Sequence, residues 1–137
     1  MQQTEKYQFN LIEGGDDFSP EPLNQNTQRA EALLAGRARI ISGSYTGTGQ
    51  YGADNPTILE FPDTERPPAV IFVSDTNGSL KGALIRGMTS CNLYRDSVLS
   101  YTATLTWTDK GVRMHGRDGA HVQLNTKNDT YYYVALI

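Results

Sequence analysis

Residues 99–107 constrain the chain most. Leu99, Tyr101, Ala103, Leu105 and Trp107 alternate with Ser100, Thr102, Thr104 and Thr106. A strict period of two puts one apolar and one hydroxylated face on a single strand, because successive side chains in extended backbone point to opposite sides. No helix can use that pattern. A chain built around such a strand must supply neighbouring strands to pair its backbone and an apolar layer to cover its inner face.

The neighbours are legible. Ile41, Gly43 and Tyr45 share a face of a first strand, and Thr57 to Phe61 form a second. Pro67-Pro68 introduce Ala69 to Ser74, a run so uniformly apolar that it reads as buried on both faces. Asn77-Gly78 follows as a two-residue hairpin signal, and Leu80, Gly82 and Leu84 alternate beyond it. Gly87 to Asp96 reads as a loop holding an inert Cys91. Asp109-Lys110-Gly111 turns the chain into Val112 to His115, and Gly116 to Gly119 turns it again into His121 to Leu124. Thr130 to Ile137 is the last strand, apolar on both faces. Seven or eight short strands between Gly, Asn and Asp turns predict an antiparallel β-sandwich over 37–137. Its expected core is Ile41, Leu59, Ile71, Val73, Leu84, Leu99, Tyr101, Leu105, Trp107, Leu124, Tyr133 and Ala135.

Residues 1–36 have another texture. Gly14-Gly15, Pro20 and Pro22 preclude a long helix or central strand near the start. Phe9, Leu11, Ile12 and Phe18 then read as anchors of an extended arm, with a disordered tail as the alternative. A short helix is expected from Gln25, capped by Asn24 and stopped by Gly36. Leu23, Thr27, Ala30 and Leu34 give it a heptad seam of under two repeats, too short to stand alone in water. Packing on its own domain and packing between copies are both open.

Chemistry is sparse. Gly47 to Gly52 fits Gly-x-Gly-x-x-Gly, but a strand rather than a helix follows, so it lacks the helix N-terminus that holds a pyrophosphate. His115 and His121 flank a turn, and strand geometry points them apart. One cysteine allows no intrachain disulfide, and a net charge of −3 gives no pull toward nucleic acid. The longest apolar run, Ala69 to Val73, is far below a membrane span, and the first residues carry no signal-peptide pattern. No cofactor, no enzyme activity, no nucleic-acid partner and no membrane insertion are expected. Loop residues Tyr51, Asn55, Tyr94, Arg95, Asp96, Arg117 and Asp118 are candidates for surface recognition, glycan binding above all.

Three segments carry a resemblance. Lys6 to Leu11 with Asp16-Asp17-Phe18, Pro22 to Asn26 and Ala30 to Leu34 resembles the N-terminal leader of phage tail-fibre and appendage proteins. Ser42 to Gly49 with Pro67 to Val73 is similar to the "Gly-x-Tyr-x-Gly-x-Gly … Pro-Lys-Ala-Val" opening of a C-terminal β-domain in such proteins. Val122-Gln123-Leu124-Asn125 with Thr130 to Ala135 is similar to its close. Pro22-Leu23-Asn24 stands for the usual Asp-Phe-Asn, and Pro67-Pro68 for Pro-Lys. The resemblance implies a non-enzymatic virion structural protein, made in the host cytoplasm and carried in the particle. Residues 1–36 would be its attachment element, through Phe9, Leu11, Phe18, Leu23, Thr27, Ala30 and Leu34, with other virion proteins as partners. A homotrimer is expected because the seam needs company and the last strand is apolar on both sides. A glycan-binding module for a host surface is the alternative.

Overall fold

A computed structural model describes residues 2–11 and 20–137. The chain divides into two compact units, Met1–Ala38 and Arg39–Ile137.

In the first unit, residues 2–11 do not run out as an extended arm. They turn back in a tight hairpin, with the Thr4 N–H donating to the Phe9 carbonyl (2.9 Å) and the Leu11 N–H to that of Gln2 (2.8 Å). Helix α1, Glu21–Ala35, begins a turn earlier than its sequence signals suggest. Pro22 sits in the first turn, where no intrahelical N–H bond is required, and Glu21 favours the positive end of the helix dipole. Asn24 is therefore inside α1, its N–H bonded to the Pro20 carbonyl. Asn26 clips the hairpin to the helix as a strand partner would: its Oδ1 accepts the Asn10 N–H (2.6 Å) and its Nδ2 donates to the Asn10 carbonyl (2.9 Å). No α1 residue is fully buried. Ile12 and Phe18 lie outside the described residues.

The second unit is mainly β. Its eight strands are β1 Ile40–Thr46, β2 Thr57–Glu60, β3 Val70–Asp75, β4 Leu80–Ile85, β5 Ser90–Arg95, β6 Val98–Trp107, β7 Gly111–His115 and β8 Thr130–Leu136. All pairings are antiparallel, in the order β1-β8-β3-β4-β5-β6-β7-β2. The strands form one hydrogen-bonded sheet that curls over its own inner face. Phe61, just beyond β2, sets its ring edge-on against Tyr133 of β8 at 5.6 Å, across the curl. Gly43 makes room for this, since a Cβ there would collide with the Tyr133 ring.

The enclosed core contains Leu59, Ile71, Val73, Leu84, Leu105, Leu124 and Ala135, with Ile41, Tyr101, Trp107 and Tyr133 partly buried against it. Leu99 is a correction: it is 53% exposed. A bulge between Leu93 and Tyr94 shifts the register, so that Leu93 faces Tyr101 but Tyr94 faces Leu99. One extra residue flips the end of β6 outward. Cys91 and Leu93 are core residues on β5, not loop residues. The expected strand His121–Leu124 is a short 3-10 helix, Ala120–Gln123. Asn77-Gly78 belongs to a longer turn, in which only Gly78 takes positive φ (69°). The expectation that β3 is buried on both faces also fails, because Phe72 is half exposed.

The edge strand β2 depends on a close approach: a Cβ at Gly111 would collide with the Leu59 carbonyl oxygen. Gly111→Ala should lower stability by about 1–3 kcal/mol, the usual cost of overpacking. The urea midpoint of the full chain measures it, and an unchanged midpoint would contradict the β2–β7 geometry.

Candidate functional site

The register gives the β unit two unlike ends. The unit begins and finishes at one of them, where the Arg39 N–H donates to the Ile137 carbonyl (3.0 Å). The β2–β3, β4–β5 and β6–β7 connections share that end. Arg86 fastens it, donating through Nε to the Pro68 carbonyl and through a terminal nitrogen to that of Thr108 (both 2.9 Å), with its guanidinium 4.9 Å from the Trp107 ring. At the far end lie segment 47–56, turns 76–79 and 96–97, and the stretch 116–129.

Two amide side chains organise the far end. Gln123 is fully buried and bonds on every side. Its Oε1 accepts the N–H groups of Gly52 (2.9 Å) and Gly116 (3.0 Å), and its Nε2 donates to the Asn55 carbonyl (2.8 Å) and the Thr57 hydroxyl (3.2 Å). Asn125 does the same one step along: Oδ1 accepts the Thr48 N–H, and Nδ2 donates to the Thr48 hydroxyl and the Gln50 carbonyl. Leu124 between them adopts a left-handed conformation (φ 52°) and is itself fully buried. Tyr45 stacks on Tyr131 at 5.2 Å and donates its hydroxyl proton to the Leu124 carbonyl (2.8 Å). Burial and the neighbouring Tyr131 push the Tyr45 phenol well above its ordinary range. Segment 47–56 is thus a clamped loop, not a free one.

Of the sequence candidates, Tyr51 is half exposed on the clamped loop, and Asn55 is exposed with its carbonyl held by Gln123. Arg117 and Asp118 are exposed on the turn that follows Gly116, which hangs from the same Gln123 oxygen as Gly52. Tyr94, Arg95 and Asp96 stand at the β5–β6 turn. All seven therefore share the far end. That turn is strained: Asp96 and Ser97 both carry positive φ (50° and 70°) without a glycine. Tyr94 alone among the seven also lines an open groove of about 750 Å³ on the outer side of β8, β3, β4 and β5.

Of the attachment candidates, Leu23 and Leu34 are exposed and Thr27 is spent on a bond to the Leu23 carbonyl. Phe9, Ala30 and Leu34 line a shallow hollow within the first unit, and Leu11 is exposed. Among the described residues no three His, Cys, Asp or Glu side chains converge as metal ligands would. His121 sits not on a strand but against the Tyr101 ring, 4.7 Å away. No family model matches the chain, and no curated protein or solved structure matches it.

Gln123 and Asn125 were not singled out by chemical reasoning on the sequence. The available signal was position: Tyr45, Gly47 and Gly49 lie in one of the three segments singled out in the sequence, Gln123 and Asn125 in another, and they meet here. Gln123→Ala would strip partners from two N–H groups and a carbonyl. A loss of about 2–4 kcal/mol is expected, each orphaned group costing about 1–3 kcal/mol before relaxation. Hydrogen exchange at Gly52 and Gly116 should accelerate, and unchanged protection there would refute the clamp.

Cys91 gives a second test. Its thiol donates to the Ala83 carbonyl (3.4 Å), and burial pushes its pKa up to about 11. A thiol raised in the folded state keeps its contribution to stability below about pH 9 and loses it as pH rises toward 11. Ellman's reagent should react slowly with the native chain at neutral pH. The urea midpoint should fall across that alkaline window, and fall less in Cys91→Ala.

Proposed function

We propose that the chain is a non-enzymatic structural module of a phage tail fibre or baseplate appendage. The first unit docks on the particle or on sister chains, as a homotrimer, and the β unit carries its far-end loops outward. The observation that supports this most is the polarity of the β unit. Its first and last residues lie at one end, and the exposed loops gather at the other. A domain mounted by one end presents the other. The residues that carry the resemblance meet at that far end. Tyr45, Gly47, Gly49, Gln123 and Asn125 fasten the far-end loops to one another.

Glycan recognition is the second reading, favoured by the collection of Tyr51, Asn55, Arg117 and Asp118 on two loops that hang from one side chain. Rigid loops bearing aromatic and planar polar groups suit sugar faces.

An antibody raised against residues 39–137 should label the tail or baseplate of particles seen by electron microscopy. Deleting residues 1–35 should leave a soluble β-rich protein that no longer incorporates. Unlabelled particles, or normal incorporation of the truncated chain, would refute the respective parts. Glycan-array binding that disappears with Tyr51→Ala would favour the second reading, and silence across the array would remove it.

A further inference from the structure

The outer side of the sheet is not uniform. On β6 it shows Thr102, Thr104 and Thr106, and on β1 Ser42, Ser44 and Thr46, all exposed. That is how this sheet faces water. The strands between them differ. Antiparallel register sets Val134, Phe72 and Ala83 side by side across β8, β3 and β4, with Leu136, Val70 and Ile85 in the next row. Tyr132 and Tyr94 flank them. Phe72 is 50% exposed, Tyr132 53%, Ile85 and Met88 45%, Tyr94 41% and Val134 39%. Among the described residues lining the groove they form, Lys81 is the single charged group.

The area matters. An aromatic side chain exposed by half shows on the order of 100 Å². The six side chains together then show on the order of 500 Å², at the top of the range that a lone soluble protein leaves bare. The same amount is most of the roughly 800 Å² that each partner of a standard interface buries. A face with one charge offers a foreign partner no charge pattern to match, whereas the apolar surface of another copy needs none. We propose that this face, on β8, β3, β4 and the end of β5, is where a second copy of this chain packs. The proposal rests on the structural-module reading and deepens it, by placing the contact between copies on the β unit and leaving the first unit to dock on the particle.

Sedimentation equilibrium of the full chain in a micromolar dilution series tests it. The chain should sediment above its 15.1 kDa monomer mass. Phe72→Glu combined with Val134→Glu should return it to that mass with an unchanged circular dichroism spectrum, while Thr104→Glu should leave association intact. If the double variant misfolds, Ile85→Lys at the margin of the face should still shift the midpoint of association at least tenfold. A monomer at every concentration, or a variant that keeps the parent mass, overturns the proposal. Complete dissociation by Leu23→Glu with Leu34→Glu, on α1, would assign the contact to the helix and also overturn it, leaving the appendage reading untouched. Association through the face with no labelling of particles would do the reverse.

Discussion

Everything at the far end of the β unit hangs on a three-residue segment, Gln123-Leu124-Asn125. Its backbone turns left-handed at Leu124, which drives that side chain into the core and aims the two flanking amides at the loops. The chemistry requires amides. Each offers an acceptor and two donors on one planar group, and each here meets both N–H and C=O or hydroxyl partners. A carboxylate would lack the donors, and an apolar residue would leave buried backbone groups unpaired. In low-dielectric surroundings such a network is worth most when complete, and it is complete: no buried side-chain polar atom among the described residues lacks a partner.

The near end solves the same problem with a cation. Arg86 gathers carbonyls from two connections and lies over Trp107, whose indole N–H donates to the Met88 carbonyl (3.1 Å). Lysine would not substitute, because the two carbonyls are reached by separate nitrogens of one planar group. Between the two fastened ends the sheet needs only apolar filling. Its curl lets one inner face serve as both walls of the core.

The sequence revealed the mainly β character, most strand positions and most of the core, because alternation is a local signal. Leu99 misled because a bulge is one residue of pairing geometry, invisible in the alternation of β6 alone. His121 to Leu124 reads as a strand because a glycine turn precedes it, whereas its backbone coils into a 3-10 turn that places the amides. The uniform apolarity of β3 reads as burial on both faces, and that of β8 as a reason for a partner copy. Apolar residues on an outer face signal that something covers it, and what covers it is not encoded in the pattern. In the sequence the far-end candidates stand apart as separate turn residues. Their convergence follows from strand direction, which becomes visible only once the pairing order is known.

The uneven fastening of the far end sets where the chain can change. Segments 47–56 and 116–119 share the Gln123 oxygen, so an altered length in either disturbs the other. The turns at 76–79 and 96–97 are tied to each other instead, the Asp96 N–H donating to the Ser79 carbonyl (3.1 Å). Asp75 closes the first by accepting the N–H and hydroxyl of Ser79 (both 2.9 Å), and the second joins β5 to β6 within the ladder. The far end thus carries two separately fastened pairs of loops, and a change of length within one pair leaves the fastening of the other in place.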